Sequence, residues 1–280
     1  MNEVEKKLLE QVVASPSYRR ADVDVEFLDR PELRPVRMQL ELLKPEMIMA
    51  EHGVRSTIIL FGSARILEKS DAERRLAAAR AELAMNPEDP RAKRTVVQYE
   101  SLLAKSHYYD VAREFARLVS LSGQVEGVSD YVIMTGGGPG IMEAGNRGAA
   151  DVAAMSVGLN ILLPHEQLPN PYITPELCFL FRYFSMRKFH FNLRAKALVV
   201  FPGGFGTLDE LFETLTLRQT GKMAAIPIVL VGRAYWESVL DFQFLADEGV
   251  ISDDDLTMIG FAETAAEAWE IIRDAHDLRG

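Results

Sequence analysis

Ala197-Leu198-Val199-Val200-Phe201-Pro202-Gly203-Gly204-Phe205-Gly206-Thr207-Leu208-Asp209-Glu210 is the stretch that decides how this chain is read. Its first five residues are a continuous apolar run bounded by a Pro-Gly turn, the pattern of a buried strand. Leu208, Leu211, Phe212 and Leu215 then fall at i, i+3, i+4 and i+7, the pattern of a helix. Glycines between a strand and a helix let the backbone approach a ligand closely. The free N–H groups and dipole at the helix start favour an anion, most often phosphate. Thr207 is expected to cap the helix and to offer its hydroxyl to that anion. At about 100° per residue, Thr207, Glu210 and Thr214 share one side of the helix, and Asp209 and Glu213 point away. Gly203, Gly204, Gly206 and Thr207 are therefore read as a phosphate cradle with the Glu210 carboxylate directed at the same ligand.

A second turn repeats the arrangement. Tyr131-Val132-Ile133-Met134-Thr135 reads as a buried strand, Gly136-Gly137-Gly138-Pro139-Gly140 follows, and Ile141-Met142-Glu143-Ala144 opens a helix. Pro139 suits a first helical position, where a missing N–H costs nothing. Two such turns imply a ligand lying across the carboxyl ends of parallel strands. Neither turn fits the dinucleotide pattern G-x-G-x-x-G, because Ile141 and Asp209 stand where its last glycine belongs. No lysine follows the glycines, so neither is a P-loop.

Pro202-Gly203-Gly204-Phe205-Gly206-Thr207-Leu208-Asp209-Glu210 resembles the PGGxGTxxE signature of the lonely guy (LOG) family, many members of which were long labelled lysine decarboxylases. Arg187-Lys188 stands where that family carries an Arg-Lys pair, although Phe184, Ser185 and Met186 precede it in place of the usual Met-His. Phe61-Gly62-Ser63-Ala64 and Gly136 to Ala144 are similar to the family's other ligand loops. The resemblance covers roughly residues 55 to 275, and the long N-terminal segment makes the chain look like the larger bacterial subtype. It implies a Rossmann-like fold, a homodimer or larger assembly, and a phosphoribohydrolase. Such enzymes cleave the N-glycosidic bond of nucleoside 5′-monophosphates, usually AMP or cytokinin nucleotides, to free base and ribose 5-phosphate. It also implies that Ser63, Gly137, Gly138 and Lys188 line the substrate and that Glu143 touches ribose or base.

Composition agrees with such an enzyme. The 280 residues suffice for a large α/β core. A formal net charge of −10 argues against general nucleic-acid binding. An anionic substrate must then meet a local positive excess, and Arg182, Arg187, Lys188, Arg194 and Lys196 form one. The single cysteine, Cys178, excludes an internal disulfide, fits a reducing cytoplasm and reads as packing rather than as a nucleophile. Met1 to Lys7 is too charged for a signal peptide, and no apolar run approaches a membrane span. The five histidines have no metal-ligand spacing, and His190 reads as a satisfied core histidine. Asp253-Asp254-Asp255 reads as a solvated run behind a Ser252 cap rather than a metal site. A pyridoxal phosphate on Lys188 has no other support in the sequence.

The organisation expected is an N-terminal extension over residues 1–54 and a Rossmann-like, doubly wound α/β domain over 55–280. The extension carries helical patches and is expected to wrap the main domain or a partner chain. Strands are expected at 57–61, 131–135, 155–161, 197–201, 226–231 and 257–261, with strand or buried turn at 179–184. Helical sequence from 70 to 122 is broken by Asn86-Pro87-Glu88-Asp89-Pro90, which predicts a helical hairpin. Ser185 is expected to open a helix whose apolar arc is Met186, Phe189, His190 and Leu193. Further helices are expected over Tyr235–Asp247 and Thr264–His276, and a loop over Pro164–Pro175 that shapes the base pocket.

Glycosidic cleavage passes through a ribosyl cation, which a neighbouring carboxylate stabilises while it orients or deprotonates water. Glu210 is the candidate for that role, and Arg187 is expected to hold phosphate or ribose and to keep Glu210 ionised. Neither a metal nor an organic cofactor is called for. A non-catalytic nucleotide-binding or sensing protein on the same fold is the alternative, and retention of both Arg187 and Glu210 favours the enzyme.

Overall fold

The structure, a computed structural model, describes residues 1–125, 128–164 and 168–278. Its strands are β1 Thr57–Phe61, β2 Gln124–Val125, β3 Val128–Ser129, β4 Val132–Thr135, β5 Ser156–Ile161, β6 Cys178–Phe181, β7 Ala195–Val200, β8 Ile228–Val231 and β9 Ile259–Ala262. Its α-helices are α1 Glu3–Ala14, α2 Val25–Leu28, α3 Arg34–Glu51, α4 Lys69–Met85, α5 Pro90–Ala104, α6 His107–Gly123, α7 Ile141–Ala150, α8 Phe184–Leu193, α9 Phe205–Gln219, α10 Arg233–Val239, α11 Phe242–Asp247, α12 Asp253–Leu256 and α13 Ala265–Ala275.

The chain forms two compact units, Met1–Lys44 and Pro45–Gly280, and the boundary falls inside α3 at Pro45. In the smaller unit Asn2 and Glu5 form a reciprocal capping box at the start of α1, none of whose residues is buried. Asp24 caps α2, and the Arg37 guanidinium donates to the carbonyls of Leu28 and Arg30.

The larger unit is built on seven parallel strands in the order β6-β5-β4-β1-β7-β8-β9. Alternate residues of each strand enter opposite cores. Ile58, Leu60, Ala197 and Val199 pack with Phe115 of α6, Ala144 of α7 and Ile272 of α13. Ile59, Phe61, Leu198 and Val200 pack with Phe191 of α8, Leu211 of α9 and Trp236 of α10. Apolar layers on both faces explain why these strands read as continuous apolar runs. This is the doubly wound, Rossmann-like α/β architecture. The chain moves outward from β1 through β4, β5 and β6, then returns to β7 and continues to β9. The topological switch point therefore lies between β1 and β7.

Several boundaries differ from expectation for local reasons. The Tyr235–Asp247 helix is two helices, because Asp241 takes an extended backbone and caps α11 through the Phe244 N–H. Pro139 lies outside α7, which starts at Ile141 behind Gly140 at φ 71°. The 179–184 run is strand only to Phe181, and Phe184 already opens α8. The helix break at Asn86–Pro90 makes the α4–α5 hairpin, which has a small apolar seam of Leu76, Ala79 and Val96 and an Arg80–Glu100 ion pair at 2.8 Å. In the loop expected over Pro164–Pro175, residues 165–167 lie outside the described residues. No helix among the described residues is long and apolar enough to cross a membrane, and no group of three His, Cys, Asp or Glu there could hold a metal ion.

Candidate active site

Three loops leave the carboxyl ends of β1, β4 and β7 side by side at the switch point. Hydrogen bonds knit them together. The Ser63 N–H donates to the Pro202 carbonyl at 3.0 Å, and the Ile141 N–H donates to the Ser63 carbonyl at 3.2 Å. The Ser63 hydroxyl accepts from the Arg65 N–H at 3.1 Å.

Helix α9 begins at Phe205 with Gly204 as its N-cap, so Thr207 lies within the first turn and does not cap it. Glycine rather than threonine occupies the cap because Gly203 must approach Thr207 closely. A Cβ on Gly203 would collide with the Thr207 hydroxyl. Beyond Gly204 and Gly206 lies open space, with nothing within 4 Å of an added Cβ. The Tyr235 hydroxyl donates to the Gly203 carbonyl at 2.6 Å.

Thr207, Glu210 and Thr214 are all buried on one side of α9, as their phase requires. Arg187 reaches Glu210 from α8, with Nη1 3.7 Å from Oε1 and side-chain exposures of 12% and 9%. The Arg187 Nε donates to the Leu159 carbonyl at 2.7 Å, and its guanidinium lies over the Phe191 ring, 5.1 Å from the centroid. Gly136 of the second turn touches the same guanidinium, since a Cβ there would stand 2.5 Å from Arg187 Nη2.

The charge state of Glu210 differs from expectation. Burial raises its pKa from 4.5 to about 7, and the opposing pull of Arg187, followed by that of Lys188, does not offset it. At 3.7 Å the pair is an ion pair without a hydrogen bond, too weak to repay the loss of hydration. Burial likewise lowers the Arg187 pKa, with Glu210 opposing. A guanidinium lowered in this way still stays charged at neutral pH.

Lys188, expected beside the substrate, pairs with Asp209 at 3.0 Å and Glu213 at 3.2 Å of α9. Three members of the basic cluster, Arg187, Lys188 and Arg194, are thus paired with carboxylates. Arg194 pairs with Glu46, and the Nδ1 of buried His190 lies 3.4 Å from the same carboxylate. The α8 arc also differs. His190 and Phe191 are buried, Phe191 edge-to-face on Phe61 at 4.7 Å, whereas Phe189 and Leu193 are exposed. Cys178 is half-buried, accepts from Asn160 Nδ2 at 3.3 Å, and has its thiol pKa raised by burial. Asp255 forms a capping box with Ser252.

Glu143, in the first turn of α7, accepts from the Tyr109 hydroxyl at 2.8 Å. That hydroxyl also accepts from Arg147 at 3.3 Å, and Arg147 pairs with Glu68 at 2.9 Å. Burial is the main cause raising the Tyr109 pKa, so it remains a donor. Gly137 and Gly138 belong to a turn held by Thr135, Asn146 and Asn170. Sequence reasoning named none of Tyr109, Thr135, Asn146 and Asn170 as site residues. One signal was present for Asn146, a lone amide amid the small residues Ala144, Gly145, Gly148 and Ala149 that face the core.

A family model described as "Possible lysine decarboxylase" matches residues 142–272, a little under half of the chain, including both Arg187 and Glu210. No curated protein matches the chain significantly. Among solved structures, the chain is similar to the molybdenum cofactor binding protein of the phototrophic bacterium Rippkaea orientalis, at 19% identity and a TM-score of 0.42 over 60% of this chain and 87% of that one. It is also similar to TM1055, a structural-genomics target, at 19% identity and a TM-score of 0.46 over 78% of this chain and 99% of that one.

Proposed function

We propose that the chain is a nucleoside 5′-monophosphate phosphoribohydrolase, cleaving AMP- or cytokinin-type nucleotides to free base and ribose 5-phosphate. The observation that carries this reading is the buried Arg187–Glu210 pair, one helical turn behind a glycine cradle at the switch point of a parallel sheet. A buried carboxylate whose pKa is raised by burial beside the Arg187 guanidinium marks a candidate working group. The lonely guy resemblance and the match over residues 142–272 support the same reaction class.

In this reading the 5′-phosphate rests on the amides of Gly203, Gly204 and Gly206 with the Thr207 hydroxyl. The C1′–N bond breaks, and its electron pair leaves with the base. Positive charge spreads over C1′ and the ring oxygen, beside the ionised Glu210. A water oxygen bonds to C1′ and its proton passes to Glu210, which returns it to solvent as the departing base nitrogen takes one up. Nucleotide and water are consumed, and base and ribose 5-phosphate are formed, with no metal or organic cofactor in the balance. Arg187 holds the phosphate or the ribose.

The test is incubation with a panel of nucleoside 5′-monophosphates, following free base and ribose 5-phosphate. Phosphate binding energy supports catalysis at the distant glycosidic bond. AMP is therefore expected to be cleaved far faster than adenosine, and equal rates with both would remove the cradle from the mechanism.

A further inference from the structure

The geometry points to Asn170 as a positioning residue that shapes the glycine turn after β4 and directs the Gly138 N–H at the nucleotide. The inference rests on the phosphoribohydrolase reading and adds to it a residue outside the Arg187–Glu210 pair. Asn170 is 7% exposed and spends its whole amide group on neighbours. Its two Nδ2 hydrogens are shared among three acceptors, the carbonyls of Gly137 at 3.2 Å and Gly138 at 3.1 Å and Asn146 Oδ1 at 2.9 Å. Its backbone N–H donates to the Gly137 carbonyl at 2.8 Å, and its Oδ1 accepts from the Tyr172 N–H at 3.2 Å. From the other side Thr135 Oγ1 accepts the Gly137 N–H at 3.0 Å and donates to Asn146 Oδ1 at 2.7 Å.

Two successive carbonyls are thus turned toward one side chain. A trans peptide is planar, so its N–H points opposite to its carbonyl. With the Gly137 carbonyl bound to Asn170, the Gly138 N–H must face away from Asn170. The next peptide also turns its carbonyl to Asn170, but its nitrogen belongs to Pro139 and carries no hydrogen. Of these two peptides only the first has a donor to offer, so Asn170 fixes the Gly138 N–H on the opposite side of the turn, where a lone-pair oxygen or ring nitrogen of the nucleotide would meet it. The same turn bears on the Arg187 guanidinium through Gly136, so its shape also sets where Arg187 stands against Glu210. The phosphate cradle on α9 is a separate element. This separation makes the role measurable.

Asn170→Ala removes the amide, and Thr135→Val, a milder change of similar shape, removes the opposing contact. Each variant would be assayed for kcat and KM with AMP, for inorganic phosphate affinity by NMR titration, and for Tm. Misplacement of the turn is expected to lower kcat for AMP by about 10- to 100-fold in both variants. Phosphate affinity should stay within about twofold, as for an interaction the change does not touch. If phosphate affinity falls in step with kcat and Tm, Asn170 is a structural residue only and the inference is overturned. Unchanged kcat in both folded variants overturns it equally. If the unaltered protein cleaves no monophosphate, the parent reading fails by itself. Asn170 is then judged by AMP affinity, which must fall while phosphate affinity holds.

Discussion

At the scale of single residues, the proposed reaction makes Glu210 the group that sets the pH behaviour. Its carboxylate must be ionised to stabilise a ribosyl cation, and burial raises its pKa to about 7. The acid limb of kcat/KM for AMP is therefore expected near pH 7, well above the range of an ordinary glutamate. A limb near pH 4.5, seen in a pH–rate profile, would remove Glu210 from the chemistry. Glu210→Gln should cut kcat by about 10²-fold or more, the scale of losing one transition-state electrostatic partner. It should also stabilise the fold, with a sign that depends on pH. The folded state binds the Glu210 proton more tightly than the unfolded chain does, so stability falls as pH rises through the window from about 4.5 to about 7. Above that window the ionised carboxylate costs up to about 3 kcal/mol, a cost that the neutral amide avoids. Thermal denaturation should show a higher Tm for Glu210→Gln at pH 8 and little difference at pH 4. Asp209→Asn is the control. Asp209 is exposed on the far side of α9 and pairs only with Lys188, so its loss should change stability by less than about 1 kcal/mol and leave kcat alone. Loss of activity in Asp209→Asn with retention in Glu210→Gln would reverse the assignment.

At the scale of elements, the proposed function asks the first turn of α9 to serve as helix and as phosphate site at once. Gly206 lies inside the helix with open space where a Cβ would stand. Gly206→Ala should therefore stabilise α9 by about 0.5–1 kcal/mol. If the open space is where phosphate sits, the same methyl group must raise KM for AMP while Tm increases. A raised Tm with unchanged KM would place the phosphate elsewhere. The elements themselves were largely legible. Val199-Val200, Ile58-Ile59 and Ile228-Val229 are buried on both faces of a parallel sheet, so their apolar runs announce strands without alternation. The Glu210 side of α9 followed from helical phase alone. What escaped reading depended on contacts distant in sequence. Asn170 acquires its role from Gly137 and Gly138, more than thirty residues away, and Tyr109 from Glu143 on another helix. The ion pairs of Lys188 could not be read either, because its partners Asp209 and Glu213 come from α9, which sequence order does not set beside α8. Thr207 was misread as a cap because a Gly at the preceding turn can cap equally well, and only the close contact with Gly203 decides between them.

At the scale of the whole molecule, a net charge of −10 would oppose the anionic substrate proposed, and Lys188 and Arg194 are already paired with carboxylates. Attraction must come from short-range groups, the amides of the cradle and Arg187. What the larger unit exposes instead is apolar. Phe205 is 92% exposed at the start of α9, and Phe212 lines a cavity of about 450 Å³ with Leu208 and Leu217 along the same helix. Phe184, Phe189 and Leu193 of α8 are exposed as well, as is Leu180 of β6. The apolar stretch along α9, where Phe205, Leu208, Phe212 and Leu217 line one surface, is of a kind rarely left to water. A homodimer or larger assembly is therefore expected by light scattering at micromolar concentration, with these side chains in the interface. Phe205→Glu places a charge there without removing a cradle amide, since only the side chain changes. The variant should dissociate toward monomer and keep the fold by circular dichroism. Phe205 begins the helix that carries Thr207 and Glu210, so an interface covering it also limits water access to the cradle. Dissociation should then raise KM for AMP more than it lowers kcat. A monomeric parent protein, or a Phe205→Glu variant that stays assembled, would show that α9 faces solvent and that the cradle works without a neighbour.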